Sequence, residues 1–292
     1  SIKCMPNYKS PVIDFDLKGF LIFAAASLLL SISLELLGNT KNITPILLIL
    51  MLGFLMLFYY YKHAKTDNNP IFPLNFFQVL TFRGGILGNL ATRLGSSCVQ
   101  LLVRLMIQIP YTTLFRSQIS YGQSALTSGW IVAPMALTAM FGKSFVIGIL
   151  DRFGYRKTLM TNTFIIGLLI CCLAIPDVNS SIYWFVPILL IMGFFNSIQF
   201  TSMNTISIAD LRTYHTSSGN SLVSVNQQFA VGFGISFGLI VLKLFEGDTS
   251  FIHNETHNAF RYTFLIVGFL TILSGFVFRR LHSKDGENMK SA

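Results

Sequence analysis

The chain has 292 residues, 52% of them hydrophobic and only 11% charged, where soluble domains carry about 25% charged residues. Its formal charge is +9, and 28 residues are Phe. This balance excludes a soluble globular core. It also excludes nucleic-acid binding, because the basic residues stand at the ends of apolar runs and form no patch interleaved with aromatics.

Residues 1–18 are polar and basic, with Pro6 and Pro11 opposing a helix. Residues 19–37 form the first run long enough to cross a bilayer, which takes roughly 20 apolar residues. A short turn at 39–42 leads to a second span, 43–61, whose Tyr59, Tyr60 and Tyr61 suit an interfacial aromatic belt. Residues 62–83 return to a basic side, and the short apolar stretch 70–82 is expected to lie in the membrane interface. This first pair of helices reads as a hairpin set apart from the later spans. The third span, 84–109, is the most polar.

The fourth span ends at Leu150 and the fifth covers 158–175, with the loop DRFGYRK, 151–157, turning between them. The sixth is 183–205, the seventh 219–245 and the eighth 259–278, stopped by Arg279 and Arg280. Gly232, Gly234, Ser236 and Gly238 on the seventh allow a neighbouring helix to approach closely. The fold class is therefore an all-α integral membrane protein with eight transmembrane helices. Its expected domains are a cytoplasmic segment with a two-helix hairpin over 1–83 and a six-helix bundle over 84–292.

Charge sets the orientation. Of the 21 Lys and Arg, fourteen fall on the side of the 151–157 loop and four on the other, while Arg93, Arg104 and Lys143 lie inside spans. Basic residues accumulate in short cytoplasmic loops, so both termini and this loop are expected in the cytoplasm of a multi-pass protein in the inner or plasma membrane.

The loop itself carries more than charge. Gly154 permits a tight reversal that a β-carbon would resist. Asp151 is placed to meet the positive end of the following helix and cap its free N–H groups. Arg152, Arg156 and Lys157 favour the cytoplasmic face. The order Asp-Arg-x-Gly-x-Arg-Lys resembles the signature loop of the major facilitator superfamily of secondary transporters. It departs at one position: the family's Gly four residues before the Asp is Ile147 here, with Gly148 following.

Two helices followed by six resemble the C-terminal part of the fourteen-helix drug–proton antiporter branch of that superfamily. NPIFPLNFF before the third span, RLGSS within it and QFTSMNTISIADL after the sixth carry the same likeness. The resemblance implies the C-terminal half of a proton-coupled exporter of small drug-like molecules, working by alternating access, with an N-terminal bundle preceding this chain. A membrane scaffold or assembly subunit with a transporter-derived fold is the alternative. No carboxylate lies at mid-membrane depth, since Glu35 is near the outer end of its span and Asp210 near an inner loop. The resemblance therefore places the proton-titrating acid in the preceding half.

Polar residues inside spans mark pathways, because burying them in lipid is costly. The third span carries Asn89, Arg93, Ser97, Gln100, Arg104 and Gln108, six positions that share an arc of about 100° on a helix. The sixth carries Asn196, Gln199 and Asn204; the seventh carries Gln227 and Gln228, with Asn220, Ser224 and Asn226 beside them. These residues line the expected substrate pathway, and inter-helix hydrogen bonding that only holds the bundle together is the competing role.

No nucleophile elbow, phosphate loop or pair of catalytic carboxylates occurs, so no enzyme, cofactor or metal is expected. Cys4, Cys98, Cys171 and Cys172 have neither zinc nor redox spacing. His253, Glu255 and His257 form H-x-E-x-H in an outer loop without a scaffold or further ligands. Asn42, Asn179 and Asn254 begin chance sequons in polar turns. One segment is foreign to its surroundings. PYTTLFRS, 110–117, reads back in codons as the end of a common sequencing adapter, and is expected to be absent from the natural gene.

Overall fold

The computed structural model describes residues 16–39, 43–67, 70–72, 74–108, 125–176, 182–211, 216–246 and 253–280. Seven helices make up the described chain: α1 (Leu17–Asn39), α2 (Ile43–Thr66), α3 (Leu80–Gln108), α4 (Ala125–Cys172), α5 (Phe185–Ala209), α6 (Thr216–Glu246) and α7 (His253–Ser274). Short 3₁₀ turns at Leu74–Gln78, Ile182–Trp184 and Gly275–Arg280 join or finish them. No strand occurs among the described residues. Each helix holds a stretch long and apolar enough to cross a bilayer.

Seven helices accommodate the eight expected spans because α4 is two helices in succession. Its 48 residues would reach about 72 Å if straight, more than twice a hydrocarbon core of roughly 30 Å. The helix breaks at Gly154, with φ 73° and ψ 163°, a conformation that glycine alone adopts readily. Two hydrogen bonds to α5 locate the halves. Ser197 donates to the Ala139 carbonyl at 2.6 Å, and Asn162 donates to the Phe195 carbonyl at 2.8 Å. Residues 139 and 162 thus meet neighbouring positions on one helix, although a straight helix would hold them about 34 Å apart. The chain folds back at the signature loop as a helical hairpin.

One local expectation for this loop needs correcting. Asp151 does not cap the second half: it lies in the last turn before the break, and no capping bond from its side chain occurs among the described residues. The break at Gly154 starts the next helical segment three residues too late for Asp151 to reach its first N–H groups.

The α1–α2 hairpin is pinned at its aqueous end. Asp16 accepts a 2.7 Å hydrogen bond from the Gly19 N–H, capping α1, and its Oδ1 lies 3.0 Å from His63 Nε2 at the end of α2. Burial pushes the Asp16 carboxyl up, but the Gly19 N–H, the His63 hydrogen bond and the His63 charge outweigh it and hold it below the ordinary value. The Ile71 N–H adds the weakest pull, without the geometry of a full hydrogen bond. Nearby, Tyr60 packs edge to face with both Phe23 and Phe72, the two Phe rings lie tilted against each other, and Tyr60 receives the Phe72 N–H at 3.1 Å. Phe76 and Phe82 join this cluster with Leu222 and Val223 of α6, while Phe77 stays exposed. Much of the stretch expected in the membrane interface is therefore buried by protein. The hairpin also touches the bundle along α6, where the Ser236 hydroxyl donates to the Leu34 carbonyl. The opposite face of α2, including Leu48, Met51, Leu52, Leu55 and Phe58, is exposed and apolar, as lipid contact requires.

The largest core cluster joins α3, α4, α5 and α7 through residues such as Leu102, Ile170, Leu189 and Phe264. Backbones approach closely at glycines. A β-carbon on Gly193 would overlap the Met135 carbonyl, welding α5 to α4, and one on Gly234 would overlap the Leu94 carbonyl, welding α6 to α3. The second of these bears out the small-residue stripe read on α6.

Candidate functional site: a polar cavity inside the helix bundle

A cavity of about 520 Å³ opens between α3, the first half of α4, α5 and α6. Its α3 wall is the polar stripe: Asn89, Arg93, Ser97, Gln100 and Arg104 all line it. Asn89 is buried, Arg93 and Ser97 are half-buried, and Gln100 and Arg104 are exposed. Arg93 is the fourteenth of the 29 residues of α3, which puts it at mid-helix.

The guanidinium of Arg93 lies over the Phe200 ring, 4.4 Å from its centroid. No carbonyl and no carboxylate among the described residues accepts a hydrogen bond from it. Its in-plane N–H donors therefore remain available to the cavity. One turn back, the buried Asn89 side-chain nitrogen has no hydrogen-bond partner either. One turn ahead, Ser96 accepts a 2.6 Å hydrogen bond from Asn196 of α5, so two polar walls meet there.

The remaining pathway candidates divide. Gln199 borders the cavity, but its amide is used elsewhere: it accepts from Asn162 at 2.7 Å and donates to Thr163 at 2.9 Å, bonding α5 to the second half of α4. Asn204 and Gln227 bond to one another at 2.6 Å, linking α5 to α6, and neither borders the cavity. Gln228 is exposed and also stands off the cavity. His253, Asn254, Glu255 and His257 fall in the first turns of α7, but their side chains and that of Gln108 are not described, and Cys4, Asn42, Asn179 and segment 110–117 lie outside the described residues.

Among the lining residues that the sequence reading did not single out are Thr92, Ser96, Lys143, Ser197 and Phe200. Lys143 carried a usable signal, being the one charge in its apolar run. Thr92 donates to the Gly88 carbonyl at 2.8 Å and sits beside the stripe. Phe200 looks like any other apolar residue of a span until Arg93 is found on its face.

On the side of the signature loop, α3 packs closely against α5 and the turn that follows α7. A β-carbon on Gly85 would overlap the Ser207 side chain, and one on Gly88 would overlap the Phe278 ring and crowd Met203. At the loop, Asp151, Arg152 and Lys157 are exposed and Arg156 is half-buried. Arg152 lies 5.7 Å from the centroid of the Phe153 ring. Ile147, where the resemblance expects Gly, is 72% exposed, and a β-carbon on Gly148 would meet nothing within 4 Å. No close helix contact is made there, so the departure from the motif costs no packing.

The sequence pattern described as Major Facilitator Superfamily matches residues 19–235 and 86–291. The chain belongs to this superfamily of transporters. Among curated relatives, it is 34% identical over 287 residues to the probable transport protein HsrA of Haemophilus influenzae, covering 98% of this chain and 60% of that protein. It is 32% identical over 294 residues to the putative multidrug resistance protein MdtD of Escherichia coli O157:H7, covering 99% of this chain and 60% of MdtD. MdtD of E. coli O8 matches to the same extent. The chain thus spans about 60% of the length of these relatives. Family and fold agree on a multi-pass membrane protein of the transporter class.

Proposed function

We propose that this chain is the C-terminal part of a proton-coupled exporter of small drug-like molecules. In this reading the six-helix bundle over 84–292 rocks against a second bundle that precedes it, exposing a shared site to each side in turn. The observation that carries the proposal is the mid-helix cavity, where a continuous polar stripe on α3 faces α5 across about 520 Å³. A scaffold has no use for such a cavity at that depth, where polar groups are costly unless water or substrate reaches them.

No carboxylate among the described residues borders the cavity, so the acid that exchanges the proton belongs to the preceding half in this reading. The fourteen-to-four charge bias supports cytoplasmic termini in an inner or plasma membrane. The name of MdtD supports drug-like substrates.

The test is reconstitution of the complete gene product in proteoliposomes with an imposed pH gradient. Adding a transported compound should dissipate the gradient, and the gradient should drive that compound uphill. Accumulation that ignores the gradient removes proton coupling, and no flux of any tested compound removes transport.

A further inference from the structure

Among the described residues, the charges around the cavity are all of one sign: Arg93 and Arg104 stand on α3 and Lys143 on α4, and no described Asp or Glu lines the space. None of the three forms an ion pair among the described residues. Cations gathered without counter-charges in a site of low dielectric repel one another and lose hydration, and an anion that enters relieves both costs. A cationic guest meets the opposite balance.

The polar groups that accompany these charges are donors as well. Stacking on Phe200 uses the face of the Arg93 guanidinium, which leaves its planar fork of N–H groups to grip an oxyanion at two points. Asn89 lies four residues earlier, hence on the same face of α3, with its side-chain nitrogen buried and unpartnered. Arg104 is eleven residues further on, about 16 Å along the helix. The cavity therefore has one anchoring point at mid-depth and a second positive group toward its far end. Between them lie apolar residues such as Leu101, Val132 and Met135.

We infer that the substrate class of this cavity is a small organic anion, a carboxylate, sulfonate or phosphate on an apolar body, with Arg93 holding the anionic group and Asn89 adding a hydrogen bond. The inference rests on reading the cavity as the substrate site. It gives the missing acid a reason, because a carboxylate in this wall would repel the guest. Export of an anion also runs with an inside-negative membrane potential.

A matched pair of probes tests it: 2-naphthalenesulfonate and 2-naphthyltrimethylammonium, which share an apolar body and differ in charge. Binding of each to the complete gene product in neutral phosphatidylcholine nanodiscs is measured by equilibrium dialysis against empty nanodiscs. The sulfonate should bind at least about tenfold more tightly than the ammonium, and raised salt should weaken it. Arg93→Gln should cost the sulfonate at least about tenfold, and Arg93→Lys, which keeps the charge without the fork, clearly less. Arg156→Gln, at the signature loop, should change nothing. Thermal melting of each variant separates lost binding from lost fold. Equal binding of the two probes, preference for the ammonium, or sulfonate binding that Arg93→Gln leaves intact would overturn the inference. Sulfonate binding without flux in proteoliposomes would remove the transport reading alone, whereas flux of the ammonium but not the sulfonate would remove this inference alone.

Discussion

Arg93 and Phe200 face each other across the cavity, the guanidinium of one lying 4.4 Å from the ring centroid of the other. The pair joins α3 to α5 at mid-depth without consuming the hydrogen-bond donors of the arginine. In the complete transporter, Arg93→Ala should lower the efflux rate at least about tenfold, equivalent to roughly 1.4 kcal/mol, with membrane abundance near normal. Phe200→Leu should have a smaller effect of the same kind. Efflux per molecule of transporter, normalised by immunoblot, checks this, and unchanged efflux in Arg93→Ala would remove its role in transport.

Gly154 and Gly148 lie six residues apart and should respond oppositely. At φ 73° and ψ 163°, an L side chain on residue 154 is strained, so Gly154→Ala should cost about 1–3 kcal/mol of stability. Gly148 is helical with open space around it, so Gly148→Ala should be neutral or slightly stabilising, by up to ~1 kcal/mol. Thermal unfolding of both purified variants in the same detergent decides the matter. An unharmed Gly154→Ala would mean that the turn adopts another conformation.

The membrane orientation can be read chemically. In a background lacking the native cysteines, a cysteine at the exposed position 152 should react with a membrane-impermeant maleimide only after the cells are opened. Labelling of intact cells from outside would invert the topology.

Gln199 should behave as a structural residue. Its amide joins Asn162 and Thr163 on a neighbouring helix at 2.7 and 2.9 Å, and all three side chains are buried. Gln199→Leu should lower the melting temperature, by an amount equivalent to about 1–2 kcal/mol, because two buried partners lose their bonds together. Substrate affinity measured on the folded fraction should change little; a large loss of affinity at unchanged stability would place Gln199 in the substrate site.

Independent amplification of the gene from source DNA should yield a sequence without residues 110–117. Recovery of the same codons with fresh primers would make the segment genuine.

The spans were legible because lipid imposes a length and a composition that a run such as 43–61 satisfies without help from the rest of the fold. The α3 stripe was legible for the same reason: its spacing on a single helix already fixes which residues share a face. Asn204 and Gln227 were not separable from the cavity residues, because a polar side chain in a span looks alike whether it faces a cavity or a partner amide. Only the 2.6 Å bond between them distinguishes the two. The cap expected at Asp151 failed because sequence spacing cannot say on which residue a helix breaks, and the positive φ of Gly154 decided it. The anchoring of α1 to α2 was hidden too, since Asp16 and His63 are 47 residues apart.

The small-residue closure between α3 and α5 has a mechanical consequence. Where Gly85 meets Ser207, a bare Cα rests against a short hydroxyl side chain, and no long side chains interlock across the join. Both residues are buried, so the two backbones approach here more closely than a β-carbon would allow. A bulkier residue at position 85 would act as a wedge, pushing α3 away from α5 at this end of the bundle.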